Sequence, residues 1–148
     1  MRTTRQVCTF FVDSLYLGVD VTKVQEVLRF QEMTPVPLAP PVVRGLINLR
    51  GQIVTALDLR RRLSLPVAAA GRKPMNVVIR SDDGAVSLLV DEIGDVIEVP
   101  EEEFERPPET LNASFRELIR GVYKLPKQLL LLLDTEKAVT VSGAREPV

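Results

Sequence analysis

The sequence contains no histidine and no tryptophan, and only one cysteine among its 148 residues. Without histidine the chain lacks the usual general base at neutral pH, the commonest metal ligand and any histidine that could carry a phosphoryl group. One cysteine and no histidine also fall short of the four ligands of a structural zinc site and of the three of a catalytic one. We therefore expect no catalytic residues, no metal and no cofactor, and a protein that is not an enzyme.

An excess of charge of one sign is missing as well. The chain carries 19 basic and 20 acidic residues, with a net charge of −1, so it has no general attraction to nucleic acid or to anionic membranes. Its longest apolar runs, residues 7–12 and 129–133, are too short for a signal peptide or a membrane-spanning helix. We expect a cytoplasmic protein that neither binds nucleic acid nor inserts into a membrane.

Two smaller features have simple structural interpretations. The lone Cys8 lies in an apolar, strand-like run and is expected to be a small buried hydrophobe. The best carboxylate cluster, Asp82 and Asp83 before Gly84, lacks the spaced acidic pattern of a calcium loop and predicts a hairpin turn.

The chain is built from two similar halves. Residues 43–63 resemble residues 119–139 at an offset of 119 − 43 = 76, with the Arg-Gly pair, a Leu, a Gln, a Leu and an Asp identical. A second echo pairs residues 21–27 with residues 93–99, at an offset of 93 − 21 = 72. Two echoes in the same order indicate an internal repeat.

Most segments have the pattern of short β-strands. Residues 7–12 and 15–19 predict one hairpin, and residues 76–80 and 85–90 predict another. In both halves an aspartate, Asp20 or Asp91, follows the second strand and is suited to cap a helical turn. Proline-rich loops come next, and residues 35–41 fit either a rigid connector or, as a weaker alternative, a polyproline ligand.

Residues 53–57 and 129–133 are continuous apolar strands, which predicts that both of their faces are covered. After the first of them, Asp58 is expected to cap one helical turn that buries Leu59 and Leu63, with the three arginines of residues 60–62 on the solvent side. Ser114 fits a capping box, although the repeat argues for only a brief turn before another strand. Many short strands in two related halves predict an all-β protein with a pair of small barrels.

The segments GVDVTKVQEV (residues 18–27) and VRGLINLRGQIV (residues 43–54) closely resemble the CheW family of bacterial chemotaxis coupling proteins, and the resemblance runs from about residue 6 to residue 141. It implies one domain over residues 1–148, made of two intertwined SH3-like five-stranded barrels with short helical turns. The approximate halves would be residues 1–70 as the first barrel and residues 71–148 as the second barrel, with strands exchanged at the C-terminus.

The resemblance also implies a function. Members of this family are non-catalytic adaptors that join the cytoplasmic tip of chemoreceptors to the regulatory domain of the histidine kinase CheA. The alternatives are a scaffold of a non-flagellar chemosensory pathway and, less favoured, a small nucleic-acid-binding barrel.

The candidate binding residues come partly from the repeat. Gly45 recurs as Gly121 and is expected to be structural, whereas Arg50 and Gly51 become Pro126 and Lys127, so a barrel can be built without them. This difference favours a binding role for Arg50, while a surface salt bridge from Arg50 to Glu26 is the structural alternative.

The resemblance implies that receptor or kinase contacts involve Val24, Glu26, Arg44, Gly45, Arg50 and Gly51, and that Ile53 faces the kinase domain. Val24 and Val27 belong either to the core or to an exposed apolar edge that suits a receptor helix. The spacing of these two valines does not decide between core and edge.

Overall fold

The computed structural model describes residues 3–66, 71–82 and 84–140. The strands in these residues are β1 (Thr4–Val12), β2 (Leu15–Asp20), β3 (Val24–Leu28), β4 (Val43–Leu49), β5 (Gln52–Asp58), β6 (Met75–Ser81), β7 (Gly84–Val90), β8 (Glu92–Pro100), β9 (Ile119–Lys124) and β10 (Leu129–Leu133). Short helices follow or precede them at α1 (Leu59–Arg62), α2 (Ala113–Arg116) and α3 (Thr135–Val139), with 3₁₀ turns at Val21–Lys23 and Glu101–Glu103.

The strands form two five-stranded sheets, each curled into a small SH3-like barrel. Barrel A has the order β8-β1-β2-β10-β9, and barrel B has the order β3-β6-β7-β5-β4. Both barrels take strands from both halves of the chain, because the first hairpin of each half pairs with the later strands of the other half. The predicted all-β fold of two intertwined barrels with short helical turns is confirmed. The expectation that residues 1–70 form one barrel and residues 71–148 the other is therefore wrong, because the exchange involves the first hairpin of each half and not only the C-terminus. The boundary expected at residue 70 lies outside the described residues, as do residues 141–148.

The strand registers make the internal repeat visible in three dimensions. Gly45 opposes Ala56 and Gly121 opposes Leu132, so both positions differ by 121 − 45 = 132 − 56 = 76, as the sequence echo predicts. For the earlier strands the offset is 69, because Val27 opposes Val77 while Val96 opposes Cys8 (96 − 27 = 77 − 8 = 69).

The echo at 72 is therefore wrong as a structural correspondence. A three-residue 3₁₀ turn, Val21–Lys23, separates β2 from β3, whereas only Asp91 separates β7 from β8. Asp20 caps that turn by accepting a hydrogen bond from the Thr22 N–H at 3.1 Å, as predicted. The expected cap at Asp91 is also wrong, because a strand and not a helical turn follows it.

The apolar core has three parts. The largest lies between the two barrels and includes Cys8, which is buried as predicted, and smaller clusters fill the interior of each barrel. In β10, Leu131 and Leu133 face the shared core, while Leu130 and Leu132 face the interior of barrel A, so both faces are covered. The prediction is wrong at the first residue of each apolar run, which is Leu129 in β10, 36% exposed, and Ile53 in β5. Ile53 is 61% exposed because it lies beside the turn that joins β4 to β5.

The helical turn after β5, α1, contacts both barrels. Asp58 caps it by accepting hydrogen bonds from the Arg60 and Arg61 N–H groups, and Leu59 and Leu63 are buried, as predicted.

The expectation that all three arginines face solvent is wrong. Arg60 is buried, and Arg62 donates hydrogen bonds to the carbonyls at the end of α3, those of Lys137, Ala138 and Thr140. Arg61 is exposed as predicted.

Arg60 lies at the junction of the barrels. Its Nε and Nη2 donate to the two carboxylate oxygens of Asp91 at 3.0 and 2.7 Å, and its Nη1 donates to the Pro66 carbonyl at 2.6 Å. Asp13, in the β1–β2 turn of barrel A, adds an ion pair at 3.5 Å and donates its N–H to Asp91 at 2.6 Å. A guanidinium that follows β5 of barrel B is thereby bound to the turn of barrel A and to the β7–β8 connection.

These contacts control the ionisation of Asp91. Burial alone would raise the pKa of its carboxyl group. The hydrogen bonds from Arg60 and from the Asp13 N–H, with the positive charges of Arg60 and Arg72, outweigh burial and lower the pKa below its ordinary value.

The turn before β9 is brief, as the repeat predicts, but its cap differs from the expected one. Asn112 rather than Ser114 occupies the N-cap position of α2, and its side chain accepts a hydrogen bond from the Ser114 N–H at 2.9 Å. Asn and Ser serve equally well at this position, so the sequence pattern did not distinguish them.

We expect Leu131→Ala to lower the free energy of unfolding by roughly 2 to 5 kcal/mol, because Leu131 is 3% exposed and its loss leaves a cavity in the shared core. Leu129→Ala is the matched control on the same strand, since Leu129 is 36% exposed at the strand end. Urea melts of both variants measure the difference. Equal losses would contradict the assignment of Leu131 to the core.

We expect Asp91→Asn to lower the free energy of unfolding by roughly 3 to 5 kcal/mol at pH 7, because it removes the carboxylate that accepts two hydrogen bonds from a buried guanidinium and leaves only the longer ion pair with Asp13. Since the folded-state pKa of Asp91 is lowered, its stabilisation is complete above the unfolded value of about 4 and is lost as the pH falls through the folded-state pKa. Urea melts below pH 5 should therefore show a weaker pH dependence for Asp91→Asn than for the wild type. Asp82→Asn, in an exposed turn, should leave the pH dependence unchanged.

Candidate functional site

The turn between β4 and β5 has an unusual backbone for its sequence. Leu49 pairs with Gln52, which leaves Arg50 and Gly51 as a two-residue hairpin loop with φ values of +52° and +90°. Positive φ at both positions is typical of a type I′ turn, which favours Asn or Gly over Arg at the first of them. The Asn48 side chain supports the turn by accepting a hydrogen bond from the Gly51 N–H at 2.9 Å. The Arg50 side chain is 69% exposed.

Side chains connect this turn to β3, the opposite edge of barrel B. The Arg50 Nη2 donates to the Glu26 Oε2, and the Gln25 amide donates to the Gln52 side-chain oxygen at 3.3 Å. The salt bridge that the sequence offered as the structural alternative is therefore present. Because Arg50 is exposed, this pair contributes little to stability.

The same contact sets the charge state of Glu26. The hydrogen bond from Arg50, with a smaller contribution from Gln25, lowers the pKa of the Glu26 carboxyl group, and desolvation opposes this only in part. Glu26 is thus held as a carboxylate beside a guanidinium whose other donors face solvent.

The two valines of β3 lie on the other side of the strand from Glu26. Glu26 opposes Val78, which faces the interior of barrel B, whereas Val24 and Val27 oppose Ile79 and Val77, which face the shared core. Val24 is partly buried and packs against that core. Val27 is 38% exposed, so it belongs to an apolar edge. Of the two interpretations that the sequence left open, Val24 therefore belongs to the core and Val27 to the exposed edge.

Arg44 and Gly45 lie at the far end of β4 from the turn. Arg50 lies six positions after Arg44, which corresponds to roughly 20 Å along a strand. Arg44 forms an ion pair with Asp58 at 3.4 Å, beside the cap of α1. The structure therefore does not bring Arg44 and Gly45 together with Arg50.

Gly45 has a packing role. A Cβ atom at Gly45 would lie 2.7 Å from the Thr34 carbonyl oxygen, because Thr34 pairs with Leu46 as an isolated bridge. The second half repeats this arrangement, where a Cβ atom at Gly121 would lie 2.5 Å from the Glu105 carbonyl oxygen. Both glycines allow a connecting segment to cross the edge strand closely.

We call the surface formed by Glu26, Arg50, Gly51 and Ile53 the turn face. Ile53, the first residue after Gln52, places 61% of its surface in solvent beside Arg50. A large exposed aliphatic side chain next to a guanidinium and a carboxylate offers both an apolar contact and directional ionic contacts to a protein partner.

Sequence reasoning missed other exposed apolar residues. Val96 is 56% exposed and is the counterpart of Val27 at the offset of 69, and Leu129 is 36% exposed and is the counterpart of Ile53 at the offset of 76. The internal repeat could have predicted the exposure of Leu129, because Leu129 corresponds to Ile53. Leu38 is fully exposed at φ +65°, a backbone conformation that is rare for a leucine, and no sequence pattern predicted it.

Among residues 3–66, 71–82 and 84–140, no group of three or more Cys, Asp or Glu side chains is arranged to hold a metal ion. In the same part of the chain no helix is long and apolar enough to cross a membrane.

The fold and the turn face define a protein of two intertwined SH3-like barrels that presents a mixed apolar and ionic surface at one hairpin. A sequence profile of the CheW-like domain matches residues 6–142, so the chain belongs to the CheW-like family.

Named relatives agree with this assignment. The chain is 30% identical to the chemotaxis protein CheW of Bacillus subtilis (strain 168) over 148 residues, which cover all of this chain and 95% of the relative. It is also 30% identical to the chemotaxis protein CheW of Treponema pallidum (strain Nichols), over 89% of this chain and 80% of the relative. The crystal structure of the scaffolding protein TtCheW from Thermoanaerobacter tengcongensis superimposes with a TM-score of 0.86 at 22% identity, over 97% of this chain and 98% of the other.

We expect Glu26 to titrate below the ordinary range of a glutamate, and we expect its pKa to rise toward that range in Arg50→Met, because the main cause of the shift is then removed. Carboxyl-carbon NMR of the labelled protein between pH 2 and pH 7 measures both values. Arg44→Met, at the far end of β4, is the control and should leave the Glu26 titration unchanged. The same titration in the wild type and in Arg50→Met would contradict the contact.

Proposed function

We propose that this chain is a non-catalytic adaptor of a bacterial chemosensory system, working in the cytoplasm, that couples the cytoplasmic tip of chemoreceptors to the regulatory domain of the histidine kinase CheA. Membership of the CheW-like family supports this proposal. The turn face and the apolar edge of β3 supply two surfaces of different chemistry, as an adaptor between two partners needs.

The observation that carries the proposal is the difference between the two equivalent hairpins. The β4–β5 connection is a two-residue turn with Arg50 and Gly51 at positive φ, whereas a four-residue connection joins β9 to β10, closed by a hydrogen bond from the Leu125 N–H to the Gln128 carbonyl at 2.9 Å. The barrel fold accepts either connection. The strained, arginine-bearing turn in the first half is thus not required for folding, and strain of this kind is commonly found at binding sites.

The apolar edge suits a helical partner. Val27 is exposed on β3, next to the partly buried Val24, and a helix can bury such side chains through apolar residues spaced three or four apart. Receptor tips that present an amphipathic helix would meet this requirement. We therefore assign the receptor to the edge of β3 and the kinase domain to the turn face around Ile53.

The nucleic-acid alternative receives no support from the aromatic residues. Stacking of bases needs exposed rings. None of the seven aromatic side chains is exposed, and Phe10 and Tyr123 are almost completely buried.

We expect Arg50→Glu to weaken binding to the kinase domain or the receptor tip by roughly thirtyfold, equivalent to about 2 kcal/mol, because it reverses a charge-assisted contact in the interface. The variant should melt within about 1 kcal/mol of the wild type, since an exposed ion pair contributes little to stability. Calorimetric titrations against a receptor signalling fragment and a CheA regulatory domain measure the affinities.

Lys127→Glu is the matched control. Lys127 is exposed in the equivalent connection of the second half, at the position that corresponds to Gly51, and its charge reversal should change neither binding nor stability. Equal binding by the two variants, or an Arg50→Glu protein that unfolds, would mean that Arg50 is structural and that the binding surface lies elsewhere.

A further inference from the structure

Polar side chains are buried at one end of barrel A without sufficient partners. Tyr123 is 1% exposed, and its hydroxyl oxygen has no hydrogen-bond partner. The Nε and Nη1 of Arg5 are also buried and unpartnered. Both side chains surround the ring of Phe104, with the guanidinium 5.5 Å and the Tyr123 ring 5.4 Å from its centroid. Three buried polar atoms of this kind are costly unless something else satisfies them.

Two carboxylates approach the guanidinium but do not reach it. The Asp20 Oδ2 lies 3.8 Å from the Arg5 Nε, and the Glu101 Oε1 lies 3.8 Å from the Arg5 Nη2. Both distances exceed the range of a hydrogen bond, although they permit an ionic attraction. Polar groups separated by such a gap are commonly joined by a bridging water.

Barrel B shows that the fold does not require these polar groups. At the offsets of the repeat, Tyr123 corresponds to Ile47 (123 − 47 = 76) and Asp20 corresponds to Leu89 (89 − 20 = 69). Ile47 and Leu89 are both buried in the apolar interior of barrel B. Barrel A thus holds a polar cluster at positions that its twin fills with aliphatic side chains.

Val7 and Tyr123 lie in the interior cluster of barrel A, Asp20 opposes Val7, and Arg5 is on the same face of β1 as Val7, so all three polar side chains are on the interior side of their strands. We propose that barrel A binds one water molecule among Arg5, Asp20 and Tyr123. The water accepts a hydrogen bond from the Arg5 Nε–H, donates one to the Asp20 carboxylate and takes the Tyr123 hydroxyl as its third partner. Three partners are typical of a buried water in a globular protein. An anion fits this position less well, because Asp20 and Glu101 already place two negative charges beside the single guanidinium.

This water connects β9 with β1 and β2, which already pair with each other up to Asp20. Arg5 lies near the start of β1, Asp20 ends β2, and Tyr123 lies on β9 at the far edge of the sheet. A molecule bonded to all three would close the end of barrel A through hydrogen bonds, as Arg50 and Glu26 do for barrel B through an ion pair.

A crystal structure of the full chain at about 1.5 Å resolution, grown with and without bromide, tests the site directly. We expect a water peak within roughly 2.6 to 3.2 Å of the Arg5 Nε, the Asp20 carboxylate and the Tyr123 hydroxyl. An anomalous bromide peak at this position, direct side-chain hydrogen bonds in place of the gaps, or an empty position would each overturn the proposal.

The variant Tyr123→Phe gives a second measurement. Removal of a hydroxyl that bonds a buried water should raise the unfolding equilibrium constant about tenfold in urea melts, whereas removal of an unpartnered hydroxyl should leave it unchanged or lower it. Tyr16→Phe, a partly buried tyrosine of the same barrel, is the control and should have no effect. An unfolding constant for Tyr123→Phe at or below the wild-type value would overturn the proposal.

Discussion

Four strand pairings hold the two halves of this protein in one structure: the parallel pairs β2–β10 and β5–β7 and the antiparallel pairs β1–β8 and β3–β6. Each of them joins a strand of one half to a strand of the other, and without them each half would keep only two separate hairpins and one unpaired strand. Because both barrels depend on both halves, the shared core between them includes side chains from each sheet. We infer that neither half folds alone and that the chain unfolds as one unit.

The exchange of strands also explains why so many polar contacts link the barrels. The chain passes from one barrel to the other through short connections, at residues 21–23 and at Asp91, so the ends of strands from different sheets lie close together at these places. Arg60 occupies one such place, between the Asp13 turn and Asp91, and Arg62 lies against the carbonyls at the end of α3. A buried guanidinium of this kind adds less to net stability than its short hydrogen bonds suggest, because its desolvation is expensive. Its main effect is to fix how the two barrels are oriented.

The proposed binding surfaces depend on that architecture in different ways. The turn face is local, since Arg50, Gly51 and Ile53 follow one another in sequence and only Glu26 comes from another strand. The exposed edge at Val27 exists because β3 is the last strand of barrel B and has no further neighbour. The repeat places a comparable exposed valine, Val96, on the edge strand of barrel A. An adaptor with two similar barrels can in this way offer different chemistry at equivalent positions.

Local sequence features determined much of the fold. Alternation, turn residues and the repeat were sufficient to predict the hairpins, the cap at Asp58 and the structural role of Gly45, because each depends on neighbours in the chain or on one close strand. The pairing of Arg50 with Glu26 was one of two alternatives that the sequence left open. The family resemblance supplied the intertwined barrels, which no local pattern contained. The sequence did not reveal that Val24 packs against the core while Val27 is exposed, since strand periodicity gives the faces of a strand and not what covers them.

Other features were decided only by tertiary structure. Arg60 looked like a surface residue because its spacing on a single turn gave no indication that Asp13 and Asp91 would approach from the other barrel. The echo at an offset of 72 misplaced the equivalent valines, because the extra turn before β3 is invisible to a comparison of residue types. Composition, local pattern and the repeat thus determined which segments of this chain form strands. Which side chains are buried and which distant charges pair depend on how strands far apart in sequence lie together, and that arrangement exists only in the folded chain.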